Sequence, residues 1–285
     1  GYFLAATLLA AVAVHWGLQP SLQSPDAAIV HEGATFAQLS RGRTHFKLRG
    51  PPDGHLVIFV HGFSGSLRMW DTVAGKLADV GYRTLIFDLY GRGLSDAPAA
   101  DHTPALFVGQ LAELLVSLDL RQTFSLVGLS MGGPIAAAFT HTHPHVVRDL
   151  VLVAPAGLPV HVPLAARLAR LPVLGDLAMP VIGKSTLNAH LDAAFFDPNA
   201  PGSREAIHDA REFGTTLADH HPGYLTALLS TLRHFPLNDM AYIYRDLGQA
   251  AAPRTMVMWG EDDKVVPFAN AERLMELMPH AQLVT

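Results

Sequence analysis

From Leu56 to Val60 the chain runs Leu-Val-Ile-Phe-Val, with no polar position to give it a wet face. A run of that kind is a strand buried on both faces, as in a parallel sheet covered by helices. The pattern recurs at Arg83–Asp88, Thr123–Gly128, Asp149–Ala154 and Arg254–Trp259, and it begins again at residue 281. Between these runs the spacing predicts helices over 66–79, 104–119, 131–142 and 267–278. Strand and helix in alternation imply an α/β fold, a mostly parallel sheet with helices on both faces. Two earlier stretches, 34–40 and 43–49, read as a pair of strands around a turn at Gly42, and Pro51 to Gly54 is a loop.

Between 159 and 250 the alternation stops. Leu164, Leu168 and Leu171, then Leu225, Leu228, Leu229 and Leu232, keep helical spacing in a Pro-rich stretch. That segment reads as a helical cap inserted over the carboxyl edge of the sheet. The core is then 34–158 together with 251–285. The cap helices are expected to line an acyl pocket as a group. Trp70 and Phe139 are expected to pack the core.

Composition removes several classes of function. With 49% hydrophobic and 16% charged residues in 285, the chain is not globally disordered. Twenty basic residues stand against 25 acidic ones, net −5, without a basic run, so no nucleic-acid partner is expected. The absence of cysteine excludes thiolate nucleophiles and disulfides.

Residues 2–18 carry no formal charge. As a helix at ~1.5 Å per residue they would span roughly 26 Å, a little short of a ~30 Å hydrocarbon core. The segment reads as a membrane anchor, which predicts a membrane-associated protein. A signal segment, implying a secreted or periplasmic protein, is the alternative. The chain opens on Gly1 and stops within an apolar run at Thr285, and we read it as a fragment at both ends.

The chemistry concentrates at Gly128-Leu129-Ser130-Met131-Gly132, a G-x-S-x-G pattern entered from a buried strand and left by the small-residue helix around Ala136–Ala138. Strand, sharp turn and helix form the setting in which such a serine projects its hydroxyl above a sheet. A serine hydroxyl is a weak nucleophile that needs a base, an orienting acid and donors for the oxyanion. The backbone N–H groups of Phe63 and Met131 are the oxyanion candidates, since Gly62 lets the chain after the 56–60 strand turn back toward Ser130. His61 is read as orienting this loop. Asp262 and Asp263, at the tip of the 254–259 strand, are both candidates for the acid. His141, His143 and His145, and His220 with His221, read as solvated loop residues rather than metal ligands. No cofactor and no metal is called for.

Several motifs together give the chain a family resemblance. They are His61-Gly62-Phe63, Asp88 to Ser95 (Asp-Leu-Tyr-Gly-Arg-Gly-Leu-Ser), Gly128 to Gly133, Val153 to Gly157 and Trp259 to Asp263. The chain resembles the cap-bearing α/β-hydrolases, in particular bacterial and monoacylglycerol-lipase-like serine esterases, over about 34–285 apart from the cap. The resemblance implies hydrolysis of a small-molecule carboxylic ester through an acyl-enzyme. It favours Asp263 over Asp262 and gives the Asp88–Ser95 loop no catalytic role. Carbon–carbon bond hydrolysis by the same machinery is the alternative; a ligand-binding homologue without catalysis is another. The family's base follows the last strand, whereas His280 precedes it and reads as a surface loop residue. The catalytic histidine is therefore expected beyond residue 285, in a Gly-His pair ahead of a final helix, and residues 1–285 alone are expected to be impaired.

Overall fold

The computed structural model describes residues 21–162, 164–193, 197–250 and 253–285. Its strands are β1 (Thr35–Leu39), β2 (Gly42–Arg49), β3 (Leu56–Val60), β4 (Arg83–Phe87), β5 (Phe124–Leu129), β6 (Val147–Val153), β7 (Arg254–Met258) and β8 (Gln282–Val284). They form one sheet in the order β1-β2-β4-β3-β5-β6-β7-β8. β1, β2 and β4 pair antiparallel, and from β4 through β8 every pairing is parallel. This is the mostly parallel α/β sheet that the apolar runs imply.

Helices connect the parallel strands: α1 (Asp71–Asp79), α2 (Pro104–Ser117) and α3 (Gly132–Thr142). The helix expected over 66–79 begins as a 3-10 turn, Leu67–Trp70, where the Ser66 hydroxyl accepts from the Arg68 N–H, and only then becomes α1. α2 starts where Thr103 Oγ1 caps the Leu106 N–H and Pro104 takes a position that needs no amide proton. Ala136, Ala137 and Ala138 let α3 lie close on the sheet, and all are buried. Among the described residues five helices then separate β6 from β7: α4 (Leu164–Ala169), α5 (Leu174–Ala193), α6 (Pro201–His220), α7 (Tyr224–His234) and α8 (Ala241–Ala250). α9 (Ala269–Leu277) precedes β8.

Every residue of β3 is buried. Leu126 of β5, Leu150 and Leu152 of β6 and Val257 of β7 are sealed in the core on one face, and Val57, Phe59, Ile86 and Val127 are buried in a second cluster on the other. Trp70 packs against Phe59, ring centroids 5.0 Å apart, and Phe139 is buried against Phe124.

The registers place the strand ends level. Val60 pairs with Gly128, Gly128 with Leu152, and Val153 with Met258. The loops opening at His61, Ser130, Ala154 and Trp259 therefore leave from one edge of the sheet. The chain passes from β3 to β4 on one side and returns to β5 on the other, and such a switch point leaves a crevice at the carboxyl ends of the strands.

The membrane-associated localisation expected from the N-terminal segment is corrected. Among the described residues no helix is long and apolar enough to cross a membrane. Residues 2–18, on which the anchor reading rested, lie outside the described residues.

Leu126 stands fully buried in a central strand, with no room for the structure to collapse around a smaller side chain. Leu126→Ala is expected to destabilise the fold by about 2–5 kcal/mol, while the exposed Val116→Ala stays within about 0.5 kcal/mol of the parent. Urea unfolding midpoints at constant slope measure both.

Candidate active site

Ser130 joins β5 to α3 with φ +51°, a left-handed conformation that side chains rarely adopt. Its peptide groups are locked there. The Ser130 N–H donates to Val153 O at 3.0 Å, and its carbonyl accepts from Gly133 at 2.9 Å and Ala156 at 3.0 Å. Two flanking glycines make the bend possible. A Cβ on Gly128 would stand 2.3 Å from the Gly132 oxygen, and one on Gly132 would stand 2.3 Å from Val60 O. Backbone, not flexible side chain, occupies those places, so no other residue fits without shifting a strand or the helix.

The loop after β3 passes directly beside this serine. A Cβ on Gly62 would lie 3.3 Å from Ser130 Cβ and 3.8 Å from its Oγ. Neither the Phe63 N–H nor the Met131 N–H donates a hydrogen bond among the described residues, and both flank Ser130 in this arrangement. Met131 contributes only backbone, since its side chain is sealed in the core.

Gly62, Phe63, Ser130 and Asp263 share the wall of a cavity of about 650 Å³. Leu187, Phe213, Leu217 and Tyr224, from α5, α6 and α7, line it from the other side. Asp263 accepts from the Val265 and Val266 N–H groups, both through Oδ1 at 2.8 Å. Asp262 is exposed and outside the wall. A second hollow of about 760 Å³ is lined only by residues between Pro198 and Thr216 and reaches none of these groups.

Buried polar groups brace the loop from behind. His61 is fully buried; its Nδ1–H donates to Gly62 O at 2.8 Å while Nε2 accepts from the Leu89 N–H at 3.0 Å. Both nitrogens are thus committed to the neutral imidazole, and burial holds its pKa down at about 4. The Asp88 carboxylate accepts from His45 Nδ1, the Leu67 N–H and the Leu94 N–H, at 2.7, 2.7 and 2.9 Å. Arg92 is also fully buried, and burial lowers its guanidinium to about 9, still charged at neutral pH.

Two histidines differ from their expected setting. His221 is not in a solvated loop: it is buried, and its Nε2–H donates to Ser95 O at 2.9 Å. His280 is half-buried ahead of β8, with both ring nitrogens shielded from solvent, and it is not part of the cavity wall. His220, by contrast, is exposed and pairs with Asp26. Sequence reasoning missed Arg92 and Tyr224 as parts of the site. An arginine between two glycines looks like a solvated turn, and no local pattern signals its burial.

The described geometry can be set beside known proteins. The family model described as alpha/beta hydrolase fold matches residues 55–285. A 2-hydroxy-6-oxononadienedioate/2-hydroxy-6-oxononatrienedioate hydrolase of Comamonas testosteroni is 28% identical over 250 residues, covering 86% of this chain and 83% of that protein. Lipase 3 of a Moraxella species is 27% identical over 234 residues, covering 81% and 70%. Among solved structures, an esterase from Exiguobacterium antarcticum superposes with a TM-score of 0.72 at 22% identity, covering 88% of this chain and 90% of that one.

The buried imidazoles make stability depend on acidity. The pKa of His61 is about 4 folded against about 6.5 unfolded, and burial takes His102 down to about 3. Between those values the unfolded chain binds protons that the folded chain refuses. Their contribution is complete above pH 6.5 and is lost as pH falls toward 4. At pH 5 the loss is roughly 2 kcal/mol per histidine relative to neutral pH. Thermal unfolding across pH 7 to 4.5 is expected to show this fall, and His102→Gln is expected to make it shallower.

Proposed function

Because the chain belongs to the alpha/beta hydrolase fold family, we propose that it is a serine hydrolase of carboxylic esters with apolar groups, acyl-glycerols among them. The observation that carries the reading is the strained Ser130 in the cavity wall, beside two backbone N–H groups that have no partner among the described residues. Leu187, Phe213, Leu217, Val265 and Val266 give that cavity an apolar lining suited to an acyl chain. On this reading residues 159–250 form a cap over a core of 34–158 and 251–285. Similarity to a lipase supports the choice of ester.

In the proposed reaction Ser130 Oγ attacks the carbonyl carbon and its proton passes to an imidazole base. The carbonyl electron pair moves onto oxygen, where the Phe63 and Met131 N–H groups hold the charge. Collapse expels the alcohol, which takes the proton back from the imidazolium. Water then repeats the sequence on the acyl-enzyme. Asp263 orients the imidazole.

Among the described residues no histidine lines the cavity. Residues 1–285 are therefore expected to react slowly, at the level that binding and the oxyanion hole provide alone.

A second reading is supported by the polar part of the lining. Arg68, Lys184 and Asn188 stand in the same cavity, and Lys184 is already paired with Asp219. The Arg68 guanidinium lies 4.5 Å from the Phe213 ring centroid and is in no ion pair among the described residues. These groups suit a substrate with an anionic end, as in carbon–carbon hydrolysis of a dioate. The Comamonas relative's name points the same way.

An alkyl fluorophosphonate is expected to add one adduct at Ser130, seen by peptide mass spectrometry, and none in S130A. Added imidazole should accelerate both labelling and nitrophenyl-ester turnover. S130A removes the enzymic part of that acceleration, and D263N shrinks it. Turnover of a ring-fission dioate with inertness toward esters would favour the second reading. Inertness toward both, with tight ligand binding, would indicate a binding protein.

A further inference from the structure

Three successive carbonyls of the loop after β3 are each gripped by a buried side chain. His61 Nδ1–H holds Gly62 O at 2.8 Å, Arg92 Nε–H holds Phe63 O at 3.0 Å, and the Tyr224 hydroxyl donates to Ser64 O at 3.3 Å. In a trans peptide the C=O and N–H of one unit point opposite ways. The grip on Gly62 O therefore sets the direction of the Phe63 N–H, which belongs to the same unit. The grip on Phe63 O fixes the next unit. Together they leave the backbone angles of Phe63 no freedom.

Of the three grips only that of Arg92 carries a full charge. Its guanidinium also donates to Tyr90 O at 3.1 Å and to Thr231 Oγ1 of α7 at 2.7 Å, and it faces the rings of Phe63 and Phe107 at 5.6 and 5.7 Å. No carboxylate lies within ion-pair distance of it among the described residues. Asp88, on the same loop, is engaged by His45, Leu67 and Leu94 instead. Burying a cation without a counter-ion is unfavourable. Its three acceptors, two carbonyls and a hydroxyl whose proton is used on Ala227 O, outnumber the two N–H donors of a neutral amide, so a guanidinium is needed to reach them all. The charge that comes with those donors has no counter-ion and is available to an anion that forms close by, and a poorly polarisable interior carries its influence over several ångströms.

We propose that Arg92 is a positioning residue of the oxyanion hole: it fixes the peptide that follows Phe63, and its uncompensated positive charge favours the negatively charged tetrahedral intermediate. The proposal rests on the ester-hydrolase reading. It also ties the hole to α7, since the same guanidinium bonds Thr231.

The test compares the parent with R92Q and R92K. Labelling of Ser130 by an alkyl fluorophosphonate is resolved into a maximal rate and a half-saturating concentration. Affinity for an alkyl trifluoromethyl ketone, whose serine adduct carries an oxyanion, is measured beside that for the neutral, unreactive alkyl ether. R92Q is expected to lower the maximal rate and the ketone affinity about a hundredfold, the scale of losing one oxyanion donor. Half-saturation and ether affinity should stay within about threefold. R92K, which keeps the charge, is expected within about tenfold of the parent. Circular dichroism and thermal unfolding establish that each variant is folded. Parent-like labelling and ketone affinity in folded R92Q overturns the proposal alone. So does an equal loss of ketone and ether affinity. If R92Q does not fold, R92K decides, and a hundredfold loss in folded R92K overturns the role of charge. A parent that is never labelled at Ser130 overturns the ester-hydrolase reading, and this proposal with it.

Discussion

The contact of backbone on backbone at the start of α3 governs the site. Gly132 sits where a single added carbon would strike Val60 O, and Gly128 sits where one would strike Gly132 itself. That closeness draws the amino end of α3 against the carboxyl ends of β3 and β5. The turn between strand and helix then has to be sharp, and Ser130 is forced to φ +51°. Such strain persists only where the surroundings over-determine it. Here they do: a strand on one side accepts the Ser130 N–H, and the turns after β5 and β6 donate to its carbonyl. The hydroxyl's direction therefore comes from the packing of three segments of chain, not from its own hydrogen bonds.

The second support is polar and lies beneath the loop. Asp88 gathers two backbone N–H groups and His45, and His61 reads the Leu89 N–H with the nitrogen it does not use on Gly62. The loop after β4 is thereby bolted to the loop after β3. These groups are sealed from water, so each bond must be made for the cluster to be tolerated. The same sealing keeps the His61 imidazole neutral. The bracing of the loop after β3 and the lowered pKa of His61 have one cause.

How far the sequence shows this varies with the physics involved. Leu56–Val60 and its repeats announce a sheet buried on both sides because burial needs an unbroken apolar run. The elbow is legible because a backbone approach leaves glycines at fixed positions. Strand and helix ends drift by a residue or two from expectation, as at Phe124–Leu129 against 123–128, since hydrogen bonding rather than apolarity sets them. His221 is misread as solvated, for its burial comes from the approach of Ser95, 126 residues away in sequence. Arg92 is hidden in the same way. Its partners lie on Phe63 and Thr231, and only the assembled fold brings those together.

The wall of the cavity follows from this division of labour. Gly62 and Phe63, Ser130 and Asp263 are carried by turns that leave the level ends of β3, β5 and β7, where sheet register places them. The facing wall comes from α5, α6 and α7. Two side-chain contacts of α7, Tyr224 to Ser64 and Thr231 to Arg92, end on the loop after β3 or on the arginine that braces it. A shift of α7 on filling the cavity would thus be felt at the Phe63 peptide. The cavity-lining helices and the loop beside Ser130 are mechanically connected through residues that no local motif marks.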